Sequence, residues 1–293
     1  MSDHTIRILA PGDEALLEAF LLPRIDSSMF LLGNMRAAGL RDEGRLYGGT
    51  YAALIEDGEI AGVVAHYWNG NVILQAETHQ VELWRAAVKA SGRGLKGFVG
   101  LADQVVAARA TLKIDPSNIR MDGVEKLYAL DLDDIIVPDD LAMGRVTGRV
   151  IESRDLELLL EWRMDYEVNT IGADPTPEFR EKVAALLGRM QRERHAWILE
   201  RDGLRVSTTA FNAVTDECVQ VGGVYTPPKL RSRGYARAAV AHSLLDARSG
   251  GAKKGVLFTG HENAAAQRAY EALGFHYVGD YCILLLKDGA HID

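Results

Sequence analysis

The feature that most restricts how this sequence can fold is a set of short patterns that occurs twice in the same order. Residues 7–18 have the pattern of a strand, a turn and an amphipathic helix, and residues 149–161 repeat it. Each copy has an aspartate after a turn residue, Asp13 or Asp155. At that position we expect the carboxylate to cap the helix N-terminus.

Two further pairs of patterns follow at nearly the same offset. Residues 51–64 predict a hairpin with an Asp-Gly turn, and residues 196–206 repeat it. A third strand then occurs at 72–76 and again at 218–221. The copies are roughly 142 to 145 residues apart, far more than the ~20–50 residues of a solenoid repeat. Three pairs in one order favour a duplicated domain over chance similarity between two α/β segments.

The duplication predicts two domains, at residues 1–138 and 144–293. An acidic, turn-like stretch at 137–140 follows an apolar strand and marks the boundary. Each half combines an antiparallel meander with one helical crossover. The predicted fold class is therefore α/β, with a mostly antiparallel mixed sheet and helices on both faces of each domain. In the second half we expect helices at 155–169, 177–191, 234–247 and 263–273.

Composition makes several kinds of partner and compartment less favourable. The net charge of −8 does not favour nucleic acid or an anionic membrane as a partner. Two cysteines form neither a disulfide framework nor a zinc spacing, so we expect a reducing compartment and no metal. The chain has no secretion signal and no apolar run of membrane-spanning length, and the expected location is the cytoplasm.

A loop rich in backbone donors follows the strand that ends at Tyr225. Pro227 and Pro228 have no N–H, so the chain leaves the sheet there and enters a helix near Gly234. The first turn of a helix has unpaired N–H groups and the positive end of the dipole, which suit a phosphate. Gly234 and Ala236 are small, so a phosphate can approach the backbone closely. Three arginines add positive charge: Arg231, Arg233 and Arg237. The alternative is a basic helix start in solvent.

A second motif lies at residues 263–275. Asn263 begins a short helix, and Tyr270 lies two turns further on nearly the same face. We expect a positive φ at Gly274 and a core position for Phe275. The side chains of Asn263 and Tyr270 would point to the same side of the helix. Alternatively, Tyr270 is a half-buried structural residue.

These two motifs together resemble the acyl-CoA site of the GNAT N-acetyltransferase superfamily, and the resemblance covers the whole second half. The family signature is Arg or Gln, two residues of any kind, Gly, one residue of any kind, and then Gly or Ala. Arg231, Gly234 and Ala236 match it. The resemblance implies that the N–H groups of 231–236 bind the pyrophosphate of acetyl-CoA. It also implies that backbone groups near Val224 pair with the pantetheine arm and polarise the thioester carbonyl. The implied cofactor-binding residues are Val224, Tyr225, Thr226, Arg231, Ser232, Arg233, Gly234, Tyr235, Ala236, Arg237 and Asn263.

The resemblance also implies the reaction. The chain is expected to transfer an acetyl group from acetyl-CoA to a primary amine of a small molecule or peptide, with no metal. Tyr270 would be the catalytic residue that protonates the departing thiolate. Asn263 would bond the pantetheine amides or cap its helix. Alternatives left open are transfer of another acyl group and a non-catalytic CoA-binding sensor or interaction module. The chain could be a monomer or a homodimer.

The sequence gives weaker indications of the acceptor side. The candidates for the general base are Asp216, Glu217 and His195, although each also fits a turn or surface position. The expected lining of the acceptor cleft is Trp162, Tyr166, Asn169 and Asp174. A free amine taken directly from solution would need no base.

The first half lacks both motifs. After its third strand come Glu77 and Glu82 instead of prolines, arginines and glycine. Acidic residues at a helix entry repel phosphate. We therefore expect the first half to keep the fold without binding CoA.

Overall fold

The computed structural model describes residues 4–168 and 174–290, and its contacts divide the chain into two units. The first unit comprises Met1–Tyr128, Phe258–Glu262 and Tyr277–Asp293. The second comprises Ala129–Leu257 and Asn263–His276. The bounds 1–138 and 144–293 stay a prediction about the two copies of the domain.

The first unit is built on a mixed sheet with strand order β1-β2-β3-β4-β5-β12. Strands β1 to β4 pair antiparallel, β4 pairs parallel with β5, and β5 pairs antiparallel with β12. Its strands are β1 His4–Ile8, β2 Gly49–Glu56, β3 Glu59–Tyr67, β4 Asn71–Gln75, β5 Leu95–Leu101, most of β6 Ile119–Asp131, and β12 His276–Ala290. Its helices are α1 Glu14–Leu21, α2 Ile25–Ala38, α3 Gln80–Ser91 and α4 Ala102–Arg109.

The second unit has the same kind of sheet, with strand order β11-β10-β9-β8-β7. Strands β7 to β10 pair antiparallel, and β10 pairs parallel with β11 after the crossover through α8. Its strands are β7 Thr147–Val150, β8 Ala196–Arg201, β9 Leu204–Val214, β10 Cys218–Tyr225 and most of β11 Lys254–Gly260. Its helices are α5 Asp139–Ala142, α6 Leu156–Tyr166, α7 Pro177–Glu193, α8 Tyr235–Ser249 and α9 Ala264–Glu271.

The predicted duplication is confirmed by local backbone geometry as well as by element order. In both hairpins the turn aspartate, Asp57 or Asp202, has φ +50° and is followed by a glycine with positive φ. This is the pattern of a two-residue type I′ turn, whose twist matches that of the flanking strands. In both hairpins the register also shifts near the turn, after Leu54 in β2 and after Leu199 in β8.

The helices of each unit cover buried apolar faces of its sheet. In the first unit Trp84 and Leu83 of α3 pack with Phe98 of β5, and all three are at most 1% exposed. In the second unit one cluster includes Leu159 of α6 and Val183 of α7. Burial of side chains of this size stabilises a fold by about 1.5–3 kcal/mol each.

The predicted capping contact is absent at Asp13, whereas Asp155 belongs to a capping box on the 3-10 turn Ser153–Asp155 that leads into α6. Neither side chain accepts a hydrogen bond from the first turn of its helix. Each carboxylate instead accepts the N–H three residues before it, from Ala10 at 2.9 Å and from Glu152 at 2.9 Å. Each also pairs with the arginine six residues earlier, at 2.8 Å for Asp13 and 2.6 Å for Asp155. A charged donor binds a carboxylate more strongly than a neutral N–H does, and the arginine on the preceding strand is within reach.

Candidate functional site

A cavity of about 690 Å³ in the second unit brings the two sequence motifs together. Its volume is within the range typical of ligand sites. Of the twelve residues predicted for the site, all except Arg233 line it. The lining residues from the two motifs are Val224, Tyr225, Thr226, Arg231, Ser232, Gly234, Tyr235, Ala236, Arg237, Asn263 and Tyr270, and Tyr166 of α6 joins them.

Strand β10 reaches this cavity through a β-bulge. Gly222 pairs with Ala210 and Tyr225 pairs with Thr208, so two residues of β10 lie opposite one residue of β9. The parallel pairing with β11 has already ended at Val221. A bulge leaves backbone groups out of the ladder. The segment around Val224 therefore lines the cavity instead of continuing a regular sheet.

The turn after β10 adopts backbone conformations that favour glycine or small polar residues. Ser232 has φ +62° and Gly234 has φ +78°, and α8 begins at the next residue, Tyr235. The predicted helix at 234–247 is thus confirmed with a shift of one or two residues. Since the first N–H groups of a helix have no intrahelical acceptor, the start of α8 presents donors at the cavity wall.

Two of the predicted arginines have contacts that the motif did not indicate. The Arg231 N–H donates to the Pro228 carbonyl at 3.3 Å, and its side-chain Nε donates to the Thr226 carbonyl at 3.1 Å. Arg231 therefore braces the turn with these two groups. Arg233 lies against an adjoining cavity of about 400 Å³ instead, with Arg145 and Arg237 also in its lining.

Arg237 supplies the clearest indication of an anionic ligand. It lines both cavities, and its Nε is buried without a hydrogen-bond partner among the residues that the structure describes. An unpaired buried charged donor is costly, about 1–3 kcal/mol or more. A phosphate oxygen at the start of α8 would satisfy it, so the residues present fit the phosphate end of CoA.

Helix α9 supplies the other wall of the cavity. The Asn263 side chain accepts the Ala266 N–H at 3.2 Å, which is the capping contact. Tyr270 is buried, and its ring lies 6.1 Å from the ring of Phe275, which is in the core as predicted. Gly274 has φ +99°, and a Cβ there would lie 3.1 Å from the Asp134 carbonyl.

Burial raises the pKa of Tyr270 well above its ordinary value of 10, and the nearby Tyr166 adds to the shift. The phenol is therefore protonated at neutral pH. A protonated phenol in a cavity wall can donate a hydrogen bond, which is the state that a proton donor requires.

Sequence reasoning missed an interaction between α6 and the end of β10. The Tyr225 hydroxyl donates to Asp165 at 2.5 Å, and the Tyr225 ring lies 5.8 Å from that of Trp162. Burial, followed by the Asp165 carboxylate, raises the pKa of Tyr225 to about 12. These contacts hold the last residue of β10 in place.

The predicted acceptor residues are only partly brought together. Tyr166 lines the cavity, whereas Trp162 packs against the core cluster of α6 and α7. Asp174 is exposed, and its carbonyl accepts the Thr176 N–H at 2.9 Å. Asn169 lies outside the described residues.

The three predicted base candidates do not line the cavity that contains Tyr270. His195 and Asp216 line a separate cavity of about 230 Å³. Burial lowers the pKa of His195, with the Glu193 carboxylate opposing this shift. The Glu217 carbonyl accepts the N–H groups of Lys253 and Lys254.

In the first unit, the chain's own side chains occupy the region between α3 and α4. The Gln104 side chain accepts the Ala76 N–H at 2.9 Å, just beyond the end of β4. The Trp84 ring is fully buried, and its Nε1 donates to the Ala108 carbonyl at 2.9 Å. The Gln104 side chain thus pairs with the N–H that follows β4, and the Trp84 ring fills the space beside α3.

The described residues include neither a cluster suited to a metal ion nor a membrane-spanning helix. Among them, no group of three or more His, Cys, Asp or Glu side chains is arranged to hold a metal ion. None of the described helices combines the length and the apolar character needed to cross a membrane.

Comparison with protein families places residues 156–275 in the acetyltransferase (GNAT) family. The second unit therefore carries a GNAT domain. A search of curated proteins found no match.

Solved structures with a similar fold cover nearly the whole chain. A GCN5-related N-acetyltransferase from Sphaerobacter thermophilus is 16% identical, covers 99% of this chain and 98% of its own, and has a TM-score of 0.57. One from Kribbella flavida is 22% identical, covers 91% and 95%, and has a TM-score of 0.52. A tandem GNAT protein from the clavulanic acid biosynthesis pathway is 12% identical, covers 99% and 100%, and has a TM-score of 0.56. At these identities the likeness shows the fold, which is GNAT-like in both halves.

Proposed function

We propose that the GNAT domain in the second unit is an acetyl-CoA-dependent N-acetyltransferase that acts on a primary amine of a small molecule or peptide. One observation carries the proposal. The end of β10, the start of α8 and Tyr270 all line a single cavity of about 690 Å³. The family supports acyl transfer, and this cavity supports CoA as the acyl carrier.

The proposed binding mode divides acetyl-CoA between the two motifs. Its pyrophosphate lies at the start of α8, where the helix N–H groups and Arg237 neutralise its charge. Its pantetheine arm runs along the bulged end of β10 and pairs with backbone groups as an added strand would. The thioester then lies between Val224 and Tyr270.

The proposed reaction is direct attack in a ternary complex. The lone pair of the neutral amine forms a C–N bond with the thioester carbonyl carbon while a backbone N–H near Val224 stabilises the oxyanion. The C–S bond then breaks, and the thiolate receives a hydrogen bond and a proton from the Tyr270 phenol. The nitrogen loses its extra proton to solvent, and Tyr270 is reprotonated. Bound together, two well-oriented reactants avoid an entropic barrier of about 7–11 kcal/mol.

The test compares the wild-type chain with Tyr270→Phe in two measurements. Acetyl-CoA at 100 times its Kd should stabilise both proteins by about 2.7 kcal/mol, seen as a Tm increase of about 5–10 °C. Turnover of the best amine from a screen should fall at least about tenfold in Tyr270→Phe, because the leaving thiolate loses its donor.

Tyr277→Phe is the matched control, since Tyr277 is 51% exposed and belongs to the first unit. Its turnover should equal that of the wild type. A wild-type protein that acetyl-CoA does not stabilise would overturn the proposed function. Stabilisation without turnover of any amine would instead indicate a CoA-binding sensor.

A further inference from the structure

The backbone at Val224, proposed to stabilise the oxyanion, follows two residues that have no side chains to anchor it. Gly222 and Gly223 precede it, and glycine is the residue with the greatest backbone freedom. The bulge between Gly222 and Tyr225 takes this segment out of the regular ladder with β9, and the parallel pairing with β11 ends at Val221. The position of the Val224 N–H therefore depends on how firmly the next residue, Tyr225, is held.

Tyr225 is anchored at both its backbone and its hydroxyl. Its carbonyl accepts a hydrogen bond from the Ser207 hydroxyl of β9 at 2.9 Å. Its own hydroxyl donates to the Asp165 carboxylate of α6 at 2.5 Å, and the whole residue is 7% exposed. The first contact ties Tyr225 to the neighbouring strand, and the second ties it to a helix. With both contacts in place, the end of β10 is held at a fixed distance from α6.

Helix α6 is a firm support for this contact. Trp162 and Asp165 are three residues apart on α6, a spacing that makes them neighbours on one face of a helix. The Trp162 ring lies 5.8 Å from the Tyr225 ring and also packs against the buried cluster of α6 and α7. A hydrogen bond from a hydroxyl to a carboxylate is roughly twice as strong as one between neutral groups. Asp165 thus holds the Tyr225 hydroxyl strongly, from a helix that is itself packed in place.

Asp165 can influence the reaction only through Tyr225. Asp165 is absent from the described residues that line the large cavity, whereas Tyr225 and Val224 both line it. Adjacent Cα atoms are joined by a planar peptide unit about 3.8 Å long, so a shift of Tyr225 moves the backbone of Val224 with it. Misplacement of a catalytic group by about 1 Å can cost about a hundredfold in rate.

We propose that Asp165 is a positioning residue for acetyl transfer. Through the Tyr225 hydroxyl it fixes the bulged end of β10, so that the backbone N–H near Val224 faces the thioester carbonyl. This inference rests on the proposed acetyltransferase function and adds to it a residue that neither sequence motif contains. The main effect is on the rate of transfer, because most of the charge of acetyl-CoA is bound at the start of α8 in the proposed binding mode.

The experiment measures kcat and the KM for acetyl-CoA in the wild type and in variants of this hydrogen bond. Asp165→Ala should lower kcat about tenfold to a hundredfold and leave the KM within about twofold, because a misplaced donor mainly weakens stabilisation of the transition state. Asp165→Asn keeps an acceptor oxygen for the Tyr225 hydroxyl and should retain most of the rate. The Tm increase with acetyl-CoA should be the same in all of these proteins.

Tyr225→Phe removes the donor of the same hydrogen bond and keeps the ring. Its loss of kcat should match that of Asp165→Ala, and the double variant should lose no more than either single variant, because both changes break one interaction. If Asp165→Ala does not fold, the comparison of Tyr225→Phe with Asp165→Asn carries the test.

Tyr277→Phe is the matched control, because the Tyr277 hydroxyl also donates to a carboxylate, that of Asp280 at 2.8 Å, but on an exposed surface of the first unit. Its kcat should equal that of the wild type. A lower melting temperature with wild-type kcat in Asp165→Ala or Tyr225→Phe, or additive losses in the double variant, would overturn the proposal about Asp165 and leave the proposed function intact. A wild type that acetyl-CoA does not stabilise, or that turns over no amine, would instead refute the proposed function and this inference with it.

Discussion

Asp155 is a carboxylate with no exposed side-chain surface, and two arginines neutralise it. Arg149 donates to both of its oxygens, at 2.6 and 3.0 Å, and Arg205 donates at 2.8 Å. Burial alone would raise its pKa, but these contacts and the Glu152 N–H outweigh burial and lower the pKa to about 2. Among the described residues, the equivalent Asp13 in the first unit forms an ion pair with one arginine, Arg7, whose side chain is 45% exposed.

Asp155→Asn should therefore destabilise the protein far more than Asp13→Asn. Breaking a buried charge network costs about 3 kcal/mol or more, whereas an exposed pair contributes at most about 1 kcal/mol. The free energy of unfolding from urea titration at pH 7 measures both changes. Equal losses in the two variants would contradict this interpretation of the Asp155 contacts.

The same site gives a pH dependence with a definite sign. The pKa of Asp155 is about 2 in the folded chain and 3.8 ordinarily, so its stabilising contribution is complete above about pH 4. The contribution is lost as the pH falls from about 4 through 2. In Asp155→Asn this part of the pH dependence should be missing from the urea titrations.

Gly234 and His79 hold the same position before α8 and α3, and both have positive φ, +78° and +55°. Gly234→Glu would place a carboxylate where the proposed pyrophosphate binds, so the Tm increase with acetyl-CoA should disappear. His79→Glu imposes the same kind of change on the first unit and should leave that increase intact. A normal increase in Gly234→Glu would contradict the assignment of the phosphate loop.

At the scale of single elements, α3 and α8 show how one fold gains or loses a binding cavity. Trp84 extends from α3 and bonds the Ala108 carbonyl, whereas small residues, Ala238 and Ala239, occupy the buried face of α8. Gln104 accepts the N–H that follows β4. These contacts support the expectation that the first unit does not bind CoA.

Elements with strong local signals could be predicted from the sequence. The Asp-Gly turns, the double proline after Tyr225 and the glycine before α8 each restrict the backbone by themselves, and the helices and strands around them lie within a few residues of the predicted bounds. The convergence of the two motifs on one cavity was implied by the resemblance to the GNAT acyl-CoA site, because the spacing within each motif does not place it next to the other.

The remaining features depend on contacts between distant residues, which local patterns do not encode. The ion pairs of Asp155 with Arg149 and Arg205 could not be predicted, because they form only once β7 and β9 lie beside it. The hydrogen bond between Asp165 and Tyr225 joins residues that are 60 positions apart in the chain. Only the packing of α6 against β10 brings these two side chains together.

At the scale of the whole molecule, the chain's last strand is part of the first unit. Strand β12 pairs with β5 over Tyr281–Leu285, and the Lys287 side chain donates to the Ser117 carbonyl at 2.7 Å. The predicted bounds 144–293 include this segment in the second copy of the domain, whereas its contacts assign Tyr277–Asp293 to the first unit. The sheet of the first unit is therefore completed by residues about 180 positions away from β5.

Removal of residues 277–293 should expose one edge of β5. Amide hydrogen exchange along Leu95–Leu101 should then speed up by at least about a hundredfold, because these N–H groups lose their strand partner and its packing. Exchange along β9 in the second unit should change much less.

A chain that lacks only residues 291–293 is the control for this truncation and should exchange like the full chain. Unchanged protection of β5 in the longer truncation would show that β12 does not contribute to the stability of the first unit.

The position of β12 also has a consequence for biosynthesis. N-terminal domains generally fold first as the ribosome elongates the chain at about 5–20 residues per second. Here the sheet that begins at His4 stays incomplete until the segment containing Leu285 has left the exit tunnel. During that interval β5 has an open edge, which is a site for mispairing with other nascent chains. The first unit therefore cannot be completed until β12 has been synthesised, and premature termination anywhere before β12 leaves that edge open.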